Sequence, residues 1–208
     1  MKKLIIFPFN GNGIEAMGCL GDEFELIAFA DDTVEKHGMS AFGIPVSSRD
    51  IIHQYPEAYI LAVPGSPSSY KIRKHIIESL QIPPSRFATV IHPSASIAKH
   101  ASIGYNSLIM AGVVLTNTSR VGNHICILPN SVIHHDSLVG DYSLVGSSVV
   151  VAGNSVIGEN CYIGSGTNII NNIHVGEQVL VGMGSNVLRS VPALLTVAGN
   201  PANELRAK

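Results

Sequence analysis

Within the stretch NSVIHHDSLVG, residues 130 to 140, two histidines and an aspartate stand side by side among Ser, Asn and aliphatic residues. Three readings fit His134-His135-Asp136. An imidazole, ordinarily titrating close to neutral pH, can act as a general base with an adjacent carboxylate holding its tautomer. The same residue types can bind a metal, or can simply occupy a solvated bend. Adjacent residues on an extended chain point apart, and zinc ligand pairs are usually separated by two or more residues, so we expect no metal. A bend suffices for isolated histidines such as His100 and His124. Deciding for the whole triplet requires knowing what the surrounding pattern builds.

Counting in sixes from Ile91 to Val187 meets Ile, Leu or Val at every step. Such a run by chance has odds of about one in 10^10, and neither a helical period of 3.6 nor a strand period of two produces it. Glycine follows the aliphatic at 104, 122, 140, 146, 158, 164, 176 and 182, and small residues such as Ser107, Ser131, Ser137 and Cys161 stand four places after it. We read a triangular prism. Each hexapeptide makes one side and one corner, the aliphatic points inward, and Gly, Asn and Asp take the tight bends. Three hexapeptides close a coil of 18 residues, and coils stack about 4.8 Å apart through parallel strand pairing. The serines are consumed in an inward column, which leaves little support for a serine or cysteine nucleophile.

The first ninety residues have another rhythm. Apolar runs at 3–9, 25–30 and 58–63 alternate with helix-like segments, the clearest being 67–81, which suggests a small parallel sheet of nucleotide-binding type. Asn10-Gly11-Asn12-Gly13 follows the first run, where backbone can cradle a phosphate or ribose at a helix start. Asp31 and Asp32 end the second run, placed for ribose or base hydrogen bonds, and Pro64-Gly65 ends the third. We therefore divide the chain into an α/β Rossmann-like domain over 1–82, a parallel β-helix over 83–190 and a C-terminal cap over 191–208. The cap contains AGNPA at 198–202. A net charge of −2 gives no reason to expect nucleic-acid binding, and three cysteines without a C-x-x-C pair read as free thiols of a reducing compartment. The uncharged stretch 142–158 is dense in Gly, Ser and Asn and is read as coil repeats, not a membrane span. We expect a cytoplasmic protein.

A sheet domain leading through IHPSA into hexapeptide repeats, a VIHHD turn about 45 residues on, and an AGNPA ending together resemble the sialic-acid O-acetyltransferase-type sugar acyltransferases over essentially the whole chain. The chain is most similar to the bacterial nucleotide-4-amino-sugar N-acetyltransferases. The resemblance implies a left-handed β-helix, acetyl-CoA as cosubstrate, no metal, and a homotrimer with active sites between subunits. It places the base on His135 and its acid on Asp136, leaves His134 beside the substrate, and assigns the nucleotide-sugar to the N-terminal domain through Asn10, Gly11, Asn12, Gly13, Asp31, Asp32, Pro64 and Gly65. On the acetyl-CoA side stand Gly153, stacked one coil after His135 with a bare backbone N–H for the thioester oxygen, and Leu144, nine residues after the base where the family usually carries a polar residue. Arg189, Arg206 and Lys208 lie where the phosphates of CoA would be met. The implied activity is acetyl transfer to a nucleotide-linked 4-amino-sugar for surface polysaccharide biosynthesis. A sugar O-acetyltransferase and a non-catalytic trimeric ligand-binding scaffold are the alternatives.

Overall fold

The structure is a computed structural model and describes residues 1–205. Its N-terminal part is a five-stranded sheet of β1 (Lys2–Phe7), β2 (Phe24–Ala30), β3 (Ser40–Ala41), β4 (Ile44–Ser47) and β5 (Tyr59–Ala62), in the order β3-β4-β2-β1-β5. All pairs are parallel except the β3–β4 edge. Three short helices cover it: α1 (Gly11–Met17), α2 (Ile51–Gln54) and α3 (Arg73–Glu78). The helix expected over 67–81 is thus much shorter. Pro64, Pro67 and Gly65 at φ 123° keep its first residues in a loop, a 3-10 turn covers Tyr70–Ile72, and Gln81 at φ 51° ends it.

From Val90 onward the chain forms the expected prism. Each aliphatic of the six-residue series is the second residue of a two-residue strand, and strands 18 residues apart pair in parallel, as in Val114–Leu115 with Val132–Ile133. Every inward aliphatic from Ile109 to Val187 is buried, whereas Ile91 is 40% exposed where the stack begins. Stacking continues beyond residue 190: Val191 bridges to Val175, Thr196–Gly199 lies on Leu180–Val181, and Ala202–Glu204 folds back on it as a hairpin. Residues 198–202 form that hairpin turn.

The bends follow the expectation at most corners and depart from it at some. Every sixth residue from Asn106 to Gly184 has positive φ, between 52° and 72°, and this column holds Asn, Asp, Gly and several bulkier types. The glycines that follow the aliphatics all lie outside this column. They are there because coils approach closely: a Cβ on Gly140 would sit 2.7 Å from the Gly158 backbone, and one on Gly158 2.7 Å from the Glu177 amide. The inward serines tie coils together, since Ser131, Ser137 and Ser155 donate to the carbonyls of Gly146, Ala152 and Ile170 at 2.7–2.8 Å.

One prism face carries the sheet domain. Its outward residues, again 18 apart, are Val90, Leu108, Cys126, Leu144, Tyr162 and Leu180, and they share an apolar cluster with Leu4, Ile6, Phe29 and Leu61. Polar contacts fix the seam. Asn106 accepts from the Ala62 amide at 2.7 Å and donates to its carbonyl at 3.0 Å, standing in for a strand partner at the outer edge of β5, next to the bridge that Ile60 makes with Phe87. Arg73, fully buried, donates to the carbonyls of Pro64 and His124. Burial without a carboxylate partner pulls its guanidinium down to about 10. His124 is no solvated bend: it is 3% exposed, stacked on Tyr142 and edge-on to Phe87 and Tyr105, and takes a 2.8 Å bond from Asn106 at Nδ1. Among the described residues no helix is long and apolar enough to cross a membrane.

Burial, then the neighbouring Arg73 charge, lowers His124 from 6.5 to about 4. The unfolded chain therefore binds one more proton between those values, so stability is full above pH 6.5 and falls as pH drops toward 4. The loss from this group is of the order of 2–3 kcal/mol. Chemical denaturation at pH 7 and pH 4.5 should show that difference, and His124→Gln should shrink it.

Candidate active site

The strand Val132–Ile133 and the next, Leu138–Val139, lie on the two faces that the sheet domain leaves free. His134, His135, Asp136 and Ser137 turn the corner between them, which is the prism edge opposite the docked face. Ile133 and Ser137 point inward and are buried, so His135 and Asp136 are forced outward, 55% and 51% exposed. Asp136 is the positive-φ residue of this corner at 60°, a conformation that Asp tolerates better than most side chains. Its Oδ2 lies 2.8 Å from His135 Nδ1. The bond to His135, then one to Thr118, keeps the Asp136 carboxyl below its ordinary value. A carboxylate at Nδ1 selects the tautomer with hydrogen there and leaves Nε2 free to take a proton.

One coil onward the imidazole covers Gly153. A Cβ there would come within 2.6 Å of His135 Cε1 and Nε2, so only glycine leaves room for this ring position. Gly153 is buried beneath the ring, and among the described residues its N–H donates to no acceptor. The same column continues to Asn171 and Arg189, the latter three coils from His135 or about 14 Å at 4.8 Å per coil. Arg189 is exposed and donates to Asn203 at 2.7 Å. Arg206 and Lys208 lie outside the described residues. His134 is half-buried on the outer face, its amide bonded to Val151.

The loop residues divide into those open to a ligand and those engaged in the fold. Gly11 has nothing within 4 Å of a would-be Cβ, and Asn10, Gly11, Asn12 and Gly65 line a 350 Å³ cavity floored by Leu144 and Tyr162. Asn10 also caps α1, its side chain accepting from the Gly13 amide at 2.8 Å. Gly13 is no cradle, because it is buried and a Cβ would meet Pro8 O at 2.6 Å. Asp31 is also corrected. It is 2% exposed and its oxygens take the Thr33 amide and the Lys36 ammonium at 2.8 and 2.9 Å. Burial pushes its carboxyl up, and those bonds more than reverse the effect. Asp32 is exposed and paired with Arg49, and the Pro64 carbonyl is occupied by Arg73. Leu144 lies 5% exposed beneath Gly65, on the docked face, so within one chain it shares no groove with His135.

Sequence reasoning missed Ser66 and Tyr162 at this cavity and Thr118 at the dyad. Stepping by 18 reaches Tyr162 from Leu144 and Thr118 from Asp136. Ser66 carried no periodic signal. Among the described residues no three His, Cys, Asp or Glu side chains gather as a metal site.

Residues 87–191 match the family described as the GMPPB C-terminal domain. No curated protein matches the chain. Among solved structures, the acetyltransferase domain of PglB from Neisseria gonorrhoeae, in complex with acetyl coenzyme A, aligns at TM-score 0.85 and 27% identity, covering 98% of this chain and 99% of that one. WeeI from Acinetobacter baumannii aligns at TM-score 0.83 and 27% identity over 99% of this chain and all of that one. PerB from Caulobacter crescentus, in complex with CoA and GDP-perosamine, shares the fold at TM-score 0.83 and 22% identity, over 99% of this chain and 98% of that one.

The two loop glycines can be separated by stability. Gly13→Ala should cost about 1–3 kcal/mol through overpacking, and Gly11→Ala should stay within about 0.5 kcal/mol of wild type, both read by chemical denaturation.

Proposed function

The chain belongs to the GMPPB C-terminal domain family through residues 87–191, and on that footing we propose that it transfers an acetyl group from acetyl-CoA to the amino group of a nucleotide-linked 4-amino-sugar. One observation carries the reading: an exposed His–Asp dyad whose free Nε2 lies over a glycine with an unused N–H. The 27% identical PglB domain, which is in complex with acetyl coenzyme A and aligns over 98% of this chain, supports the cosubstrate. The nucleotide amino-sugar is the class that PerB binds on the same fold.

Each residue then has a task. His135 Nε2 takes the proton that the amine sheds as its nitrogen bonds to the thioester carbon, and returns it to the departing sulfur. Asp136 holds the ring's tautomer and faces the imidazolium that forms. The Gly153 N–H donates to the thioester oxygen as it gains negative charge. Asn171 and Arg189 extend the same edge, and Arg189 offers a cation to phosphates about three coils away. The cavity at Asn10, Gly11, Gly65 and Ser66 takes the nucleotide-sugar, with Asp32 at the neighbouring rim.

That cavity opens on the docked face and the dyad stands on the opposite edge, so a complete site draws on two copies of the chain. This favours a homotrimer with active sites between subunits. Supply of acetyl-CoA favours a cytoplasmic location, in service of surface polysaccharide biosynthesis.

Thiol release from acetyl-CoA is the direct test, with UDP-, dTDP- and GDP-4-amino-sugars offered in parallel. His135→Ala should bind CoA yet turn over about 10²–10⁴-fold more slowly, roughly 3–5.5 kcal/mol of barrier. Gly153→Val should lose acetyl transfer far more than stability. Silence across the panel with CoA bound would point to a sugar hydroxyl as acceptor, and silence without CoA binding to a ligand-binding scaffold.

A further inference from the structure

The corner at Asp136 is built unlike its neighbours. From His124 to Gly184, positive-φ corner residues donate their amides to the carbonyl 19 residues earlier: His124 to Tyr105, Asn130 to Ala111, Tyr142 to Asn123, Asn154 to His135, and so on along the stack. Among the described residues Asp136 alone in that run lacks the bond. Its amide donates instead to Thr118 Oγ1 at 3.1 Å, and that hydroxyl shares its one hydrogen between the Asn117 carbonyl, the group that the amide would otherwise have met, and the Asp136 carboxylate. A hydroxyl is thereby inserted between two coils at the corner that carries the dyad, as the Ser94 hydroxyl is beneath Gly112 near the start of the stack.

Thr118 is also an unusual choice for its place. It sits at φ 64°, and β-branched residues adopt that region only under constraint; no other position of the column is β-branched, and most hold Asn, Gly or Asp. Its exposure gives it no role in the apolar core. The fold would be easier with glycine or asparagine there. What the threonine provides is a hydroxyl, fixed in one direction by a stiff side chain, against the backbone of Asp136.

Resting on the acetyl-transfer reading, we propose that Thr118 is a positioning residue, whose hydroxyl bridge sets the Asp136 backbone so that its carboxylate meets His135 Nδ1. Without the hydroxyl the Asp136 amide is released toward the Asn117 carbonyl, the carboxylate turns away from Nδ1, and the imidazole loses both its fixed tautomer and the partner for its charged form.

Thr118→Gly removes the hydroxyl and the constrained backbone together. It should melt at or above the wild-type temperature, keep its KM for both substrates, and lose at least about tenfold in kcat, since misplacement of about an ångström near reacting groups costs up to about 10²-fold. Thr118→Ser keeps the bridge and should restore most of the rate. NMR of the His135 ring nitrogens supplies a readout independent of turnover: in Thr118→Gly the tautomer with hydrogen at Nδ1 should cease to dominate, as in Asp136→Asn. A Thr118→Gly protein with the wild-type tautomer overturns the proposal, whatever its activity. Equal loss of rate in Thr118→Ser and Thr118→Gly does so as well. Absence of acetyl transfer in the wild type would refute the function assigned above, and the tautomer would still decide the role of Thr118.

Discussion

Close stacking of 18-residue coils is the constraint from which the rest of this molecule follows. Adjacent coils pair through two-residue strands only, so the remaining four residues of every hexapeptide must turn the corner within a fixed height. That requirement places a positive-φ residue at every sixth position, excludes a Cβ from the glycines that face the next coil, and recruits inward serines to bond the carbonyls above them. It also decides what can be functional. Any side chain at the second place of a corner is pushed outward and stands directly over its counterparts 18 residues away. His135 over Gly153 is one such pair, and it owes its geometry to the stack rather than to a local loop.

The sheet domain is attached by a seam whose central polar groups, Asn106, Arg73 and His124, are buried. Asn106 pairs with an edge strand as backbone would, and Arg73 reaches carbonyls on both sides of the seam. Uncharged His124 fills a box of three aromatic rings. A charged guanidinium buried without a carboxylate is expensive, and its bonds to the Pro64 and His124 carbonyls tie the start of loop 64–69 to the prism. That loop carries Gly65, whose φ of 123° and contact with Leu144 leave no room for a side chain. The cavity beside it is therefore largely preformed.

Much of this was legible in the residues. The aliphatic series fixed coil, register and inward column, and a corner for His135 followed from counting two places past Ile133. What the series hid was the bend itself, because Thr118, His124, Tyr142 and Gln178 occupy positive φ alongside the expected Asn, Asp and Gly. A step of 18 would have exposed the apolar column on the docked face, but a step of six averages it with the two free faces. Asp31 looked available because its partner Lys36 lies beyond a turn that no local pattern announces. Gly13 looked like a phosphate cradle because tight helix packing and ligand approach ask for the same residue.

Arg189 and His135 occupy one column, separated by whole coils and by nothing else. The prism is in that respect a ruler with discrete graduations. Removing or duplicating one coil would change the span between imidazole and guanidinium by a single step of about 4.8 Å while leaving the direction of each side chain unaltered. A loop-built site can drift continuously in length; this one can only take integer values. The edge is thus graduated, and a change in coil number could lengthen or shorten it only by whole steps.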